Sequence, residues 1–369
     1  MKNTKDLMLT GVIGCGNAGS QVADLAQNEG FDCFIINSSI RDTSTVNFPQ
    51  ERMAIIGEGR GVGKDRSKSK EYMRMCIKTQ VINAQVFKDF MKLKEVVFIV
   101  SSTGGGTGSG IAPTLLNLLQ HMYPNTKFIL VGILPTNEES YDTLENTIAY
   151  MLDLQDLDKL NCTYMSYDNS KSSKLTINKE IVNDFKVIRG DYIDTALNDA
   201  IDENDMAEIL NNKGRIVIGR VNDIEPNAPI NELLLDSVIS NNYATGIDGV
   251  SGNVKFGVMS TLTAQLSTKF DDNILAIRKT IGEGILFKNI AKGNENRIAV
   301  IATGLNMPNN RMSEIVKTVE DMKYKIVENK EKMNTIDNTW MSYKIDTPKE
   351  TTTEEEEVEF DLDAFLANM

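Results

Sequence analysis

The sequence predicts an α/β protein. The expected order is a Rossmann-like, doubly wound nucleotide-binding domain, a long central helix, a second α/β domain, and a long C-terminal helix with a disordered acidic tail. Three observations predict it. Apolar, strand-like runs alternate with helical patterns through the first half of the chain, which builds a parallel sheet. Glycine-rich turns follow those runs at 14–19, 57–63 and 104–110. A 3/4-spaced apolar stripe from Ile315 to Met333 then precedes eight acids and no Lys or Arg in residues 350–369.

Composition narrows the class. A chain of 369 residues exceeds one ordinary core, and 41% hydrophobic with 25% charged residues describes a soluble globular protein. No run is long enough to span a bilayer, and no signal-peptide cleavage pattern follows Met1–Asp6. Cys15, Cys33, Cys76 and Cys162 lack CxxC spacing, so reduced thiols in a cytosolic compartment are expected. His121 is the only histidine, which argues against a histidine metal cluster or a Ser-His-Asp triad. The net charge is −13, and the eight acids of 350–369 leave −5 for the rest. Neither value suits direct gripping of nucleic acid; the tail suits a basic partner.

The first expected strand, 7–13, runs into Gly14-Cys15-Gly16-Asn17-Ala18-Gly19 and a helix from Ser20 to Asn28. A second strand, Phe31–Ile36, ends at Asn37-Ser38-Ser39. This βαβ unit spells G-x-G-x-x-G, the fingerprint of a dinucleotide site, which requires an acid about 20 residues on. Asn37, Ser38 and Ser39 stand there instead, and Asp42 comes late. After a short strand at Met53–Ile56, Gly57–Asp65 fails as a Walker A loop. Glu58 replaces the first glycine, and Asp65 follows Lys64. Arg60 and Lys64 could still close over a terminal phosphate; a surface loop is the alternative. A polar helix is expected over about 67–92.

The strand Val96–Ser102 leads into Gly104-Gly105-Gly106-Thr107-Gly108-Ser109-Gly110 and a helix with Pro113 in its first turn. Successive glycines let backbone N–H groups approach an anion, and the helix N-terminus adds its dipole. Thr107 and Ser109 could add hydroxyl donors. A strand at Lys127–Leu134, a helix from Asn137 to about Asp156 and a strand at Asn161–Tyr167 follow. One helix is then expected from about 177 to 202. Asp205 and Glu208, three apart at a helix start, read on pattern alone as cap and dipole partners. Strands are expected at Arg215–Val221, Val254–Leu262 and Arg297–Thr303, with helices near 231–240 and 272–282.

With these residues in hand, a resemblance is specific. Gly104–Gly110 reads like the GGGTGSG signature of the tubulin/FtsZ superfamily. Gly14-Cys15-Gly16-Asn17 resembles the first tubulin phosphate loop, and Asp205–Ile209 resembles the catalytic loop of FtsZ. Arg297–Leu305 is similar to its late strand. The long terminal helix and acidic tail look most like the TubZ branch, which segregates plasmid and phage DNA.

The resemblance implies the tubulin/FtsZ fold, divided into a GTP-binding domain (1–176), a central helix (177–203), an activation domain (204–308), a C-terminal helix (309–346) and a tail (347–369). It implies a GTPase that polymerises head to tail. GTP or GDP would lie on Gly14, Cys15, Gly16 and Asn17 and on Gly104, Gly105, Gly106, Thr107, Gly108 and Ser109. Asn37, Ser38, Gly61, Gly63 and Lys64 would face magnesium and the γ-phosphate. Ribose and guanine contacts carry over to Glu139, Asn169 and Asn183. Asp205 and Glu208 would enter the neighbouring subunit's pocket and orient water. Ser39 stands where FtsZ has an acid, and Glu208 where FtsZ has Asp.

The expected function is therefore filament-driven movement of DNA through a DNA-binding adaptor on a centromere-like site, with the tail as docking element. An FtsZ-type division protein is the alternative, and a nicotinamide-dependent oxidoreductase the distant one.

Overall fold

The computed structural model describes residues 7–78, 85–155, 162–193, 201–267, 270 and 278–334. The chain opens with β1 (Thr10–Cys15), α1 (Gly16–Asn28), β2 (Asp32–Asn37), the short α2 (Ile40–Thr43) and β3 (Met53–Ile55). Next come α3 (Arg66–Lys78), α4 (Gln85–Met91), β4 (Val96–Ser102), α5 (Thr107–Met122), β5 (Lys127–Leu134), α6 (Tyr141–Gln155), β6 (Cys162–Asp168) and α7 (Lys174–Arg189). The remainder is α8 (Glu203–Leu210), β7 (Gly214–Val221), α9 (Ile230–Leu235), β8 (Val250–Leu262), α10 (Ala264–Ser267), β9 (Ile285–Lys292), β10 (Arg297–Leu305) and α11 (Asn309–Asn334).

The strands form one ten-stranded sheet in the order β3-β2-β1-β4-β5-β6-β7-β10-β8-β9. From β3 to β7 all pairings are parallel. β10 runs antiparallel to both β7 and β8, and β9 pairs parallel with β8. Parallel strands covered on both faces should be apolar at every position rather than alternating. β4 obeys: Phe98 and Val100 join the core under α1 and α7, while Val97 and Ile99 join the opposite core under α4, α5 and α6. Phe98 stacks on Phe185 of α7 with centroids 3.9 Å apart. Burying each ring stabilises the fold by roughly 2–3 kcal/mol.

Several expected elements change shape. The polar helix over 67–92 is two helices, α3 and α4; residues 79–84 between them lie outside the described residues. The helix expected from 177 to 202 starts at Lys174 and stops at Arg189. Gly190 takes the left-handed conformation (φ 106°), and its N–H caps the Lys186 and Val187 carbonyls. The apolar pattern beyond it did not reveal that stop; residues 194–200 lie outside the described residues. The expected first strand is shifted to Thr10–Cys15, and α6 starts at Tyr141. β9 is a strand the sequence pattern did not give.

A first compact unit spans Met1–Lys323 and a second Tyr324–Met369. In the first, the α11 stripe is buried as its period demands: Ile315 is fully buried, and Met312, Val319 and Met322 pack with Leu134 and Leu144. In the second, the described residues are the last turns of α11, where Tyr324 and Ile326 are exposed. The acidic stretch 350–369, with Phe360, Phe365 and Leu366, lies outside the described residues.

Candidate functional site

β1 sends its connection towards β2, whereas β4 sends its connection towards β5. The carboxyl ends of these neighbouring strands therefore splay into a crevice, the place where open α/β sheets bind ligands. A cavity of about 340 Å³ lies there. Cys15, Asn17, Ala18 and Gln21 line it from the β1–α1 junction, and Ser102, Gly105, Gly106, Thr107 and Gly108 from the β4–α5 junction. Gly14 lies within β1, and Gly16 opens α1. Burial pushes the Cys15 thiol far above its ordinary pKa, so it is a neutral wall group.

The glycine stretch is part loop, part helix. α5 starts at Thr107 rather than Ile111, which puts Pro113 in the second turn. Pro113 has no N–H to give to the Ser109 carbonyl; Arg66 Nε takes that place at 3.2 Å. The Ser109 hydroxyl turns back onto the Gly105 carbonyl, so it is not the free donor expected. Ser69 Oγ donates to the Gly106 carbonyl at 2.8 Å, and Gly104 O accepts from Asn146. Close approach explains two of the glycines. A Cβ on Gly106 would stand 2.2 Å from the Gly63 carbonyl oxygen, and one on Gly108 would stand 2.5 Å from that of Cys15.

The 57–64 turn folds over this cradle. Gly63 and Lys64 line the cavity, Lys64 Nζ donates to Thr143 Oγ1 at 2.8 Å, and the Lys64 carbonyl accepts from Asn146 Nδ2 at 2.9 Å. Gly61 N–H donates to the Ser38 carbonyl at 2.7 Å. Asn37 is fully buried and shapes the turn after β2: its Oδ1 accepts from the N–H groups of Ser38 and Ser39. The Ser38 hydroxyl pairs with Thr107 Oγ1 at 2.8 Å. Asp42, which the Ser39 hydroxyl caps at its N–H, supplies a carboxylate to the cavity wall. The sequence reading passed over it as too late for a dinucleotide site.

The other wall comes from the ends of β5 and β6. Pro135, Glu139, Thr143, Asn169 and Lys174 line it, with Lys174 Nζ 3.3 Å from Glu139 Oε1. Asn183 does not reach this cavity. It borders a separate polar one beside Asp184 and Arg220, where Arg220 Nε donates to Asp184 Oδ1 at 2.6 Å. Helical geometry explains the correction. Asn178 is four residues after Lys174 and shares its face, and its Nδ2 reaches Gln21 Oε1 at 3.4 Å. Asn183 is five residues further on, about 140° around the helix. Gln21, Asp42, Thr143 and Lys174 line the cavity and were missed, as was Asn178, which adjoins it through Gln21; the i, i+4 pairing of Lys174 with Asn178 was the available signal.

Asp205 and Glu208 lie at the opposite strand ends. α8 lines a cavity of about 350 Å³ through Glu203, Asn204 and Ala207, together with Met8 before β1, Glu95 before β4 and Lys127 at the start of β5. Asp205 forms a capping box with Asp202: each side chain accepts the other's backbone N–H, at 2.9 and 3.1 Å. Glu208 is exposed and pairs with Lys255 at 3.1 Å.

Comparison with known proteins agrees with this architecture. Residues 10–175 match the tubulin/FtsZ family, GTPase domain. The tubulin-like protein TubZ of Clostridium botulinum C phage is 28% identical over 327 residues, 86% of this chain and 82% of that protein. The crystal structure of Clostridium botulinum phage c-st TubZ superposes with a TM-score of 0.68 at 25% identity, covering 88% of this chain and all of that one. A GTPγS-form protofilament of Bacillus thuringiensis serovar israelensis TubZ shares the fold, with a TM-score of 0.76 at 14% identity over 89% of this chain and 95% of that one. The crevice between β1 and β4, with its two glycine-rich turns, thus lies within the stretch that matches the GTPase domain of the tubulin/FtsZ family.

Proposed function

We propose that the protein binds GTP in the β1/β4 crevice and hydrolyses it to GDP and phosphate where a second copy's α8 closes the pocket. The observation that carries this reading is a separation. The crevice lies beyond the carboxyl ends of the parallel strands, while α8 lies at their amino ends. β4 has seven residues, and such a strand spans about 23 Å. Asp205 and Glu208 therefore cannot serve the pocket of their own chain. Stacked head to tail, each copy's α8 meets the next copy's crevice, and the repeat of that contact is a filament. The protofilament formed by a TubZ of the same fold supports this arrangement.

The chemistry suits these groups. Phosphoryl transfer needs positioning and charge stabilisation more than a strong base. Backbone N–H groups at Gly106–Gly108 and the α5 N-terminus bind phosphate oxygens. Lys64 adds a cation, and Glu139 and Asn169 contact ribose and guanine. Two carboxylates from the neighbouring copy orient the attacking water. Magnesium fits the donor set: it takes one or two carboxylates and completes its shell with phosphate oxygens and water, and Asp42 is a carboxylate on the wall. When bound, it neutralises charge on the phosphates. Among the described residues no group of three or more His, Cys, Asp or Glu could hold a metal alone.

In the cell, such a filament would move plasmid or phage DNA through a DNA-binding adaptor on a centromere-like site. The acid-rich stretch 350–369 is the docking element, because an adaptor that grips DNA presents basic surface. A soluble cytoplasmic protein is in keeping with the described residues, where no helix is long and apolar enough to cross a membrane. Turnover per molecule, measured against protein concentration with GTP and with ATP, tests the shared site. A rate that rises with concentration and needs GTP is expected; a constant rate contradicts it.

A further inference from the structure

α11 reaches back to the nucleotide pocket through one side chain. Arg311, in its first turn, is 8% exposed, and its guanidinium fork makes four hydrogen bonds. Nε donates to Asp168 Oδ2 at 2.8 Å, Nη2 to the Pro135 carbonyl at 2.8 Å, and Nη1 to Asn137 Oδ1 at 2.6 Å and Glu314 Oε2 at 3.0 Å. Asp168 is 2% exposed and ends β6; Leu134, its partner in register, ends β5. The guanidinium therefore joins two neighbouring strands at the point where their ladder stops.

That position has a consequence for the pocket. Inside a parallel pair, ladder hydrogen bonds fix the spacing of the strands. One last backbone bond, from the Asn169 N–H to the Leu134 carbonyl at 3.1 Å, closes the ladder; past it the chains leave the sheet, and their separation must be set by other contacts. Pro135–Glu139 and Asn169 are the segments that leave there, and Pro135, Glu139 and Asn169 line the cavity. Arg311 bonds to both segments or to the residue adjoining them. The planar, rigid fork suits the task, since it holds three groups in fixed mutual directions where an ammonium could not. Ile315, one turn on, packs on Leu134 and Leu144 behind the same wall.

We infer that Arg311 is a positioning residue: it sets the distance between the β5 and β6 loops and so the width of the ribose and guanine side of the pocket. This rests on the GTP reading of the crevice. It makes nucleotide affinity depend on a residue of the C-terminal helix that touches no nucleotide, and by linkage makes α11 docking depend on nucleotide occupancy. The phosphate cradle is untouched, so the effect falls equally on di- and triphosphates.

The test is GDP and GTPγS affinity of the full chain, measured below its assembly concentration, with the thermal midpoint of nucleotide-free protein recorded for each variant. Arg311→Lys keeps the charge against Asp168 and removes the fork. It should weaken both nucleotides about tenfold while their affinity ratio stays at the wild-type value. Asn137→Ala leaves the buried pair intact and should weaken both about threefold with the midpoint unchanged; it decides the matter if the lysine variant does not fold. Wild-type affinity in a folded Arg311→Lys or in Asn137→Ala, whatever the midpoint, overturns the positioning role and leaves the GTP site standing. Failure of the wild-type protein to bind either nucleotide overturns the GTP site, and the positioning role with it.

Discussion

The two ends of the parallel sheet are built from different materials. The carboxyl end is a cradle of backbone: glycines packed against carbonyl oxygens, a buried Asn37 shaping a turn, and Lys64 folded over the top. The amino end is a display of side chains, with Asp205 and Glu208 on a short helix whose local bonds are a cap and one ion pair. The cradle is specified by what cannot be added to it, and the display by what must not be removed. In a chain acting alone the second end has nothing to act on. This contrast points to a site made from two copies.

The largest effect should come from the cradle. Gly106→Ala forces a methyl to 2.2 Å from the Gly63 carbonyl oxygen, and GTP binding should fall at least a hundredfold; near-normal affinity would show that the close approach is not needed. At the display end, Asp205→Ala should lower turnover by about two orders of magnitude, while monomer affinity for GTP holds. Losing the capping box costs the fold about 1 kcal/mol, so Asp205→Asn, which keeps an acceptor, separates cap from chemistry. If Asp205→Asn turns over at the wild-type rate, the carboxylate is a cap alone. Lys64→Ala sharpens the boundary from the other side: losing a charged contact to phosphate weakens GTP binding roughly tenfold, in monomer as in filament. Smallest of all, deletion of 350–369 should leave the GTPase rate unchanged and reduce capture of a DNA-bound adaptor. Unchanged capture would remove the tail from that role.

How much of this the sequence disclosed follows the same contrast. The cradle was legible because glycine spacing after an apolar run has few other uses, and the parallel, doubly wound sheet followed from alternating strand and helix patterns. Asp205 and Glu208 were legible only through resemblance, since two acids at a helix start serve equally as caps. The side walls were hardest. Asp42 and Gln21 belong to the pocket through the tertiary arrangement of separate elements, and no local pattern marks them. Asn183 was carried over from the resemblance alone, and it lies about 140° around α7 from the face that Lys174 shares with Asn178. Gly190 ends that helix where the apolar stripe continues, so tertiary packing overrode the periodic signal. Arg311 lay in a stretch read only for its apolar stripe, and its partners Asp168, Asn137 and Pro135 are 143 to 176 residues away in sequence.

The shared site is tested most directly by complementation. Asp205→Ala supplies an intact pocket without the carboxylate, and Gly106→Ala supplies the carboxylate without a pocket. Each variant alone should be nearly inactive. Mixed and co-assembled, they place intact pockets against intact α8 helices at some interfaces, and GTP turnover should reappear and grow with the proportion of such interfaces. A co-assembled mixture as inactive as its components would contradict the account.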